Sequence, residues 1–215
     1  MRVRLSLLII FTIISLLACP QSADEIKRFN TDSLSQVLAE LSGAEKIDTL
    51  NKIAAKIYIE HPDSCLKLAT WTVHLSDSLD YKKGLADGYF NIGNSYLMQD
   101  SLFPTVVNYL KAMRIYEEMG PSVKYANVCA QMAMLNGYTL RFKSAIHYFL
   151  KEISILKELK RIDINGSYHM IAYLKFRLGE YDSALYYNEL AASLTDSTKF
   201  YFICNNYGII WGINF

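Results

Sequence analysis

The sequence predicts an all-α protein in which about four helix-turn-helix units stack into an α-solenoid. Small residues recur about every forty positions, and the segments between them carry apolar residues at the three- and four-residue spacing of amphipathic helices. The chain of 215 residues has only 10 Gly and 4 Pro, too few to separate the many short strands of a sheet. The recurring small positions are Gly93, Ala133, Ala172 and Gly208, and twelve residues after the first three of them stand Thr105, Ala145 and Ala184.

Each unit is predicted to contain two helices. Counting forty residues back from Thr105 reaches Cys65, so the repeats extend toward the N-terminus and the array covers residues 44–215, after a tether and lead-in helix over 19–43. One second helix is expected from Lys143 to Leu159, because apolar residues mark a single face over that stretch. Those residues are Ile146, Phe149, Leu150, Ile153 and Leu156.

The turns between helices carry their own signals. Asp100-Ser101 followed by Pro104, the pair Gly120-Pro121, and the stretch from Gly179 to Ala184 each interrupt the apolar pattern. We expect Gly179 to take a positive φ, and Asp or Ser side chains to accept hydrogen bonds from the first N–H groups of the helix that follows.

The N-terminus predicts export. Arg2 and Arg4 precede an apolar run from Leu5 to Leu17 that is too short to span a bilayer comfortably, which is the layout of a signal peptide over residues 1–18. The run ends Leu16-Leu17-Ala18-Cys19 and resembles a bacterial lipobox, which predicts a lipid on Cys19 and an anchored protein in the periplasm or at the outer membrane. An ordinary signal cleaved nearby, for instance after Ala23, and an uncleaved anchor are the alternatives.

Composition and motifs argue against catalysis, metal binding and nucleic acid. The 22 basic residues against 21 acidic ones leave a net charge of +1, without the basic excess that nucleic-acid binding needs. The four cysteines are separated by 46, 64 and 75 residues, so we expect buried thiols and no zinc site. None of the four histidines stands in an HExxH motif or beside a plausible nucleophile, and no phosphate-binding glycine motif is present, so we expect no enzyme, no cofactor and no catalytic residue.

The repeat pattern resembles the tetratricopeptide repeat (TPR) family. The resemblance is carried by an apolar-small pair, an aromatic residue three positions on, a Gly-x-Tyr-x-x-Ala turn and a small residue seven beyond. In this chain these are Ile92-Gly93, Tyr96, Thr105 and Ala112 in one unit, and Gly179, Tyr181, Ala184 and Ala191 in another. Lys175 and Glu152 depart from the pattern. The resemblance implies a right-handed α-solenoid, and the long period is similar to that of exported or membrane-anchored signalling proteins of Bacteroidetes-type bacteria.

In TPR proteins the first helix of each unit lines a concave groove, so the resemblance implies a groove that binds an extended protein or peptide partner. Amide, aromatic and imidazole side chains at the corresponding positions are the predicted contacts, and they are Asn91, Asn94, Gln131, His169, Tyr173 and Asn205. The alternative for several of them is packing against the adjacent repeat. For Met134, Met170 and Phe176 packing is the preferred interpretation.

Together these features predict a non-enzymatic exported scaffold for protein–protein interaction, attached to the membrane through Cys19. The segment from Lys199 to Phe215 reads as a first helix without its second, so we expect either a capping helix or an incomplete last unit. The alternative function is therefore the sensory ectodomain, or a truncated form, of a TPR-containing histidine kinase or membrane-tethered transcription regulator. A degenerate fragment without function is a third possibility.

Overall fold

The computed structural model describes residues 41–194, and over this range the chain is all-α, as predicted. The helices are α1 Gly43–Ile57, α2 Pro62–Ser78, α3 Lys82–Met98, α4 Leu102–Met119, α5 Val123–Tyr138, α6 Phe142–Glu158, α7 Asn165–Arg177 and α8 Tyr181–Ser193. The predictions for the signal peptide, for Cys19, for Asn205 and for the last unit lie outside the described residues.

The chain divides into two units, residues 1–46 and 47–215. Of the first unit the structure describes only residues 41–46, where α1 begins. Residues 47–194 belong to the second unit.

The helices form pairs that repeat with the predicted period. The second helices α2, α4, α6 and α8 begin at residues 62, 102, 142 and 181, which is a spacing of 40, 40 and 39 residues. From α2 onward each helix packs against the next one in the chain. Helix α6 begins and ends within one residue of its predicted bounds.

Small residues lie where paired helices cross. Ala133, Ala145, Ala172 and Ala184 are all fully buried, and so are Cys65 and Thr105. At Gly93 the helices approach so closely that a Cβ atom would lie 2.4 Å from the Cδ1 atom of Tyr109, a fully buried ring. The period of small residues therefore records the helix crossings.

The turn within each of the last three pairs contains one residue in the left-handed region. These equivalent residues are Asp100, Leu140 and Gly179, with φ values of 54°, 59° and 76°. The predicted positive φ of Gly179 is confirmed. Each turn closes with a hydrogen bond back to the preceding helix, as when the Ser101 amide donates to the Tyr96 carbonyl at 2.9 Å.

The predicted side-chain caps at two of these turns are wrong. Ser101 and Glu180 precede α4 and α8, and neither makes a side-chain cap hydrogen bond. Their ψ angles of 78° and 67° differ from the extended backbone that aims a side-chain oxygen at the first helical turn. Ser122, with ψ of 156°, is extended and does accept a hydrogen bond from the Tyr125 amide at 3.1 Å.

Candidate functional site

The candidate site is the side of the first helices that corresponds to the groove of TPR proteins, called here the groove face. Its positions in α3 are matched to those in α5 by adding 40 to the residue number, and those in α5 to α7 by adding 39. Equivalent positions in stacked repeats lie on the same side of the array. The sets are Asp87 and Asn127; Asn91, Gln131 and Met170; Asn94, Met134 and Tyr173; and Met98, Tyr138 and Arg177.

In α3 most of these positions are closed by packing. Asn91 is 2% exposed, and its Nδ2 atom donates to the carbonyl of Asn51 at 3.0 Å and to its Oδ1 atom at 3.2 Å. Asn94 is 6% exposed, and its Oδ1 atom accepts a hydrogen bond from the Tyr109 hydroxyl at 2.7 Å. The carboxylate of Asp87 is also buried and accepts a hydrogen bond from the Tyr116 hydroxyl.

The burial of Asn91 and Asn94 corrects the prediction that they face a ligand. Their carboxamides hold α3 against α1 and α4, which is the packing alternative. His169 in α7 is likewise buried, and its Nδ1 atom lies 3.2 Å from Oδ1 of Asn188 in α8. Burial lowers the pKa of His169, because a charged imidazole is poorly solvated there.

The groove face opens in α5 and α7. Asn127 and Tyr138 are exposed, Gln131 is half-buried, and Met134, predicted to pack in the core, is exposed instead. In α7, Met170 and Tyr173 are half-buried and Arg177 is exposed. Gln131 and Tyr173 are therefore partly accessible, and their contact with a ligand stays a prediction.

The second helix of the repeat closes the groove face at Asp87 and Asn94, whereas Asn91 is closed by Asn51 of α1. Tyr109 and Tyr116 of α4 carry the hydroxyls that bond Asn94 and Asp87. Forty residues later α6 has Phe149 and Leu156 at the equivalent positions, and neither can donate a hydrogen bond. In the sequence, burial of a polar groove position is therefore indicated by a tyrosine that follows it by 15 or 29 residues.

Arg177 is the one charged residue on the open part of the groove face. Its guanidinium carbon lies 5.1 Å from the ring centre of Phe142 and 5.7 Å from that of Tyr173. One of its N–H groups donates to the Tyr173 hydroxyl at 2.6 Å. The two rings hold the guanidinium in place while its other donors remain available at the surface.

A cavity of about 220 Å³ lies where α4, α5 and α6 meet. Lys151 lines it, donates to Glu117 at 2.8 Å and lies 5.3 Å from the ring centre of Tyr125. The hydrogen bond from Lys151 lowers the pKa of Glu117. Burial opposes the charge on Lys151, but its bonds to Glu117 and Tyr125 prevail and raise its pKa. These charges satisfy one another and connect the second and third repeats.

The described residues offer little reactive chemistry. Cys65 and Cys129 are free and buried, as predicted for packing residues, and burial raises their pKa values to about 11 and about 12, which disfavours the reactive thiolate. Within residues 41–194 no three His, Cys, Asp or Glu side chains come together as a metal site would require. No helix in that range is both long and apolar enough to cross a membrane.

Comparison with solved structures identifies the fold. A protein described as a signal transduction ATPase with a tetratricopeptide repeat sensor, from Pyrococcus horikoshii, superposes on 85% of this chain with a TM-score of 0.64 and 15% identity, and 28% of its own length is covered. The chain has a TPR-like fold. This confirms the predicted right-handed α-solenoid at the level of architecture.

Two other solved structures match this TPR-like chain at a TM-score of 0.69 and 16% identity. Aspartyl phosphate phosphatase F from Bacillus subtilis matches 83% of the chain, which spans about half (51%) of that protein's length. A Rap protein in complex with competence and sporulation factor matches 82% of the chain, with 52% of its own length covered. No protein-family model matches the sequence, and no curated protein matches it either.

Proposed function

We propose that this chain is a non-enzymatic TPR-like scaffold that binds a protein or peptide partner on the groove face of α5 and α7. The observation that carries the proposal is the change along the array: the groove face is closed in α3 and open in α5 and α7. The open part combines amide, thioether, phenol and guanidinium groups, which suit an extended segment with polar backbone and apolar side chains. A similar fold in a Rap protein is found in complex with competence and sporulation factor.

The groove proposal is tested by site-specific photocrosslinking in the native host. A photoreactive phenylalanine analogue replaces Met134 or Tyr138 on the groove face, and Leu150 on α6 serves as the control because it is also exposed but does not belong to the groove face. We expect one partner protein to crosslink from both groove positions, with at least tenfold less product from position 150. Equal crosslinking from all three positions, or none from the groove face, would contradict the proposal.

We further propose that the scaffold is exported and lipid-anchored at Cys19, in the periplasm or at the outer membrane, as the lipobox-like sequence Leu16-Leu17-Ala18-Cys19 indicates. The second candidate is the sensory ectodomain, or a truncated form, of a TPR-containing histidine kinase or membrane-tethered transcription regulator, as the long repeat period of Bacteroidetes-type signalling proteins suggests. It is favoured by the similarity to a TPR sensor of which the chain covers only 28%.

An intact mass of the protein extracted from host membranes separates these two candidates. A mass equal to residues 19–215 plus acyl chains supports the lipid-anchored scaffold. A much larger mass, with these residues at one end of a longer chain, supports the sensor. A mass matching an unmodified product cleaved after residue 23 contradicts the lipid anchor and leaves the groove proposal to the crosslinking experiment.

A further inference from the structure

Resting on the proposed function, we infer that the partner segment presents an aspartate or glutamate side chain to Arg177, in an extended stretch whose neighbouring apolar side chain contacts Tyr138. The charge, the hydrogen-bond donors and the accessibility of α5 and α7 together determine which class of peptide the open groove face selects.

The open groove face has positive charge and no carboxylate. Its residues on α5 and α7 are Asn127, Gln131, Met134, Tyr138, Met170, Tyr173 and Arg177, and the arginine is the one basic residue among them. The groove face of α3 does have a carboxylate, Asp87, but it is buried and lies within 3.7 Å of both Lys83 and Lys124, which compensate its charge. An anionic side chain is therefore the complement of the open part.

Arg177 is positioned to meet a carboxylate. Nearby Lys175 is paired with Glu180 at 2.6 Å, whereas no ion pair links Arg177 to a carboxylate among residues 41–194. The Tyr173 hydroxyl accepts one hydrogen bond from Arg177, and its own proton can still be donated to a ligand. A carboxylate beside this pair would receive charge-assisted hydrogen bonds from a planar, pre-oriented guanidinium.

The accessibility of this surface favours a peptide over a small anion. Tyr138 occupies the position equivalent to Arg177 in the preceding repeat and is 86% exposed, so the surface is open and well hydrated. A lone ion there would be screened by salt and held weakly. An extended segment gains further contacts from Tyr138 and Gln131, which anchor its backbone and apolar side chain.

The test begins with a phage-displayed library of random twelve-residue peptides selected on the immobilised full-length protein. We expect the selected peptides to share Asp or Glu at a constant distance from an apolar residue. Binding of a synthetic selected peptide, followed by fluorescence anisotropy, should weaken at least tenfold for Arg177→Gln and less than fivefold for Arg177→Lys, which keeps the charge. Arg141→Gln removes an exposed arginine that is not on the groove face and should change the affinity less than twofold.

A double-mutant cycle assigns the contact. Replacing the acidic residue of the peptide by its amide should weaken binding to the unaltered protein about tenfold and have little effect on Arg177→Gln. Selected peptides that lack an acidic preference but lose affinity on Gln131→Ala or Tyr138→Ala overturn this inference and leave the proposed function intact. Failure to select any peptide, or binding indifferent to all of these groove substitutions, overturns both.

Discussion

Glu152 is a carboxylate at a repeat position that is alanine in the neighbouring second helices. The equivalent positions hold Ala112 in α4 and Ala191 in α8, and both are fully buried. In α6 the position places a carboxylate against α7, where the Ser167 hydroxyl donates to it at 2.8 Å. Burial raises the pKa of Glu152 above the ordinary 4.5, and the bond from Ser167 only partly opposes that effect.

The raised pKa predicts a pH-dependent cost of this carboxylate. The folded state favours the protonated form of Glu152. The stability that this carboxyl group contributes is therefore full below pH 4.5 and is lost as the pH rises through the folded-state pKa. Glu152→Gln keeps an acceptor for Ser167 without the charge. We expect its free energy of unfolding to exceed that of the unaltered protein by about 1 kcal/mol at pH 7, with the advantage vanishing toward pH 4. Urea unfolding at several pH values measures this.

The control for that experiment is Glu158→Gln, because Glu158 is an exposed carboxylate on the same helix. Its effect on stability should stay within about 0.5 kcal/mol at every pH. A Glu152→Gln variant less stable than the unaltered protein at pH 7 would show that the carboxylate contributes more through Ser167 than burial costs.

Residue chemistry also explains why the candidate site was only half predictable. The spacing identified the groove face, but the exposure of each position depends on side chains supplied by another helix. Asn94 is closed by the hydroxyl of Tyr109 in α4, whereas Phe149, the residue equivalent to Tyr109 in α6, has no hydroxyl, and Met134 is exposed. A preference for amides at the surface and methionine in the core therefore gave the wrong placement of Asn94 and Met134.

At the scale of the element, the turns inside the last three repeats carry unequal backbone strain. Asp100, Leu140 and Gly179 occupy equivalent left-handed positions. Leucine is the least suited of the three, because it has the Cβ atom that glycine lacks and, unlike aspartate, no short polar side chain that can hydrogen-bond locally. The Leu140 side chain is 68% exposed, so packing compensates little of this cost. Glycine at position 179 has open space around a Cβ atom, so its φ of 76° is its main structural requirement.

Two substitutions at these turns should therefore have opposite effects. Leu140→Gly should raise the free energy of unfolding by about 0.5–1 kcal/mol, because relief of strain exceeds the entropy gained by the unfolded chain. Gly179→Ala should lower it by about 1 kcal/mol for the converse reason. Chemical denaturation followed by circular dichroism measures both. A loss of stability in Leu140→Gly would show that the exposed leucine makes a stabilising contact that outweighs the strain.

The helices were more predictable than their ends. A small residue at each crossing is a steric requirement of the pair, as Gly93 against Tyr109 shows, so the period could be read directly from the sequence. The caps depend on the backbone angle at which the chain leaves the preceding helix, and composition does not reveal that angle. Ser101 and Ser122 both precede a helix, yet only the extended one caps it.

At the scale of the whole molecule, a polar network centred on Asp87 joins three successive repeats. Lys83 of α3 lies 2.6 Å from Asp48 of α1 and 3.5 Å from Asp87, while Lys124 of α5 approaches Asp87 from the following repeat at 3.7 Å. The Tyr116 hydroxyl of α4 completes the network, and burial raises its pKa so that it stays protonated and donates to Asp87. Repeat arrays unfold cooperatively only as far as their interfaces couple neighbouring units.

Removing the centre of this network should weaken the coupling between the repeats. Asp87→Ala leaves the buried Tyr116 hydroxyl without its acceptor and should lower the free energy of unfolding by about 2–4 kcal/mol. We also expect a broader urea transition, because the first three repeats no longer unfold together. Glu118→Ala, which breaks exposed ion pairs to Lys82 and Arg114, should cost less than about 0.5 kcal/mol and keep the transition sharp. Adding Tyr116→Phe to Asp87→Ala should recover part of the loss, because the unpaired hydroxyl is removed, and strictly additive losses would show that Asp87 and Tyr116 act independently. A urea transition of Asp87→Ala as sharp as that of the unaltered protein would show that the network does not couple the repeats.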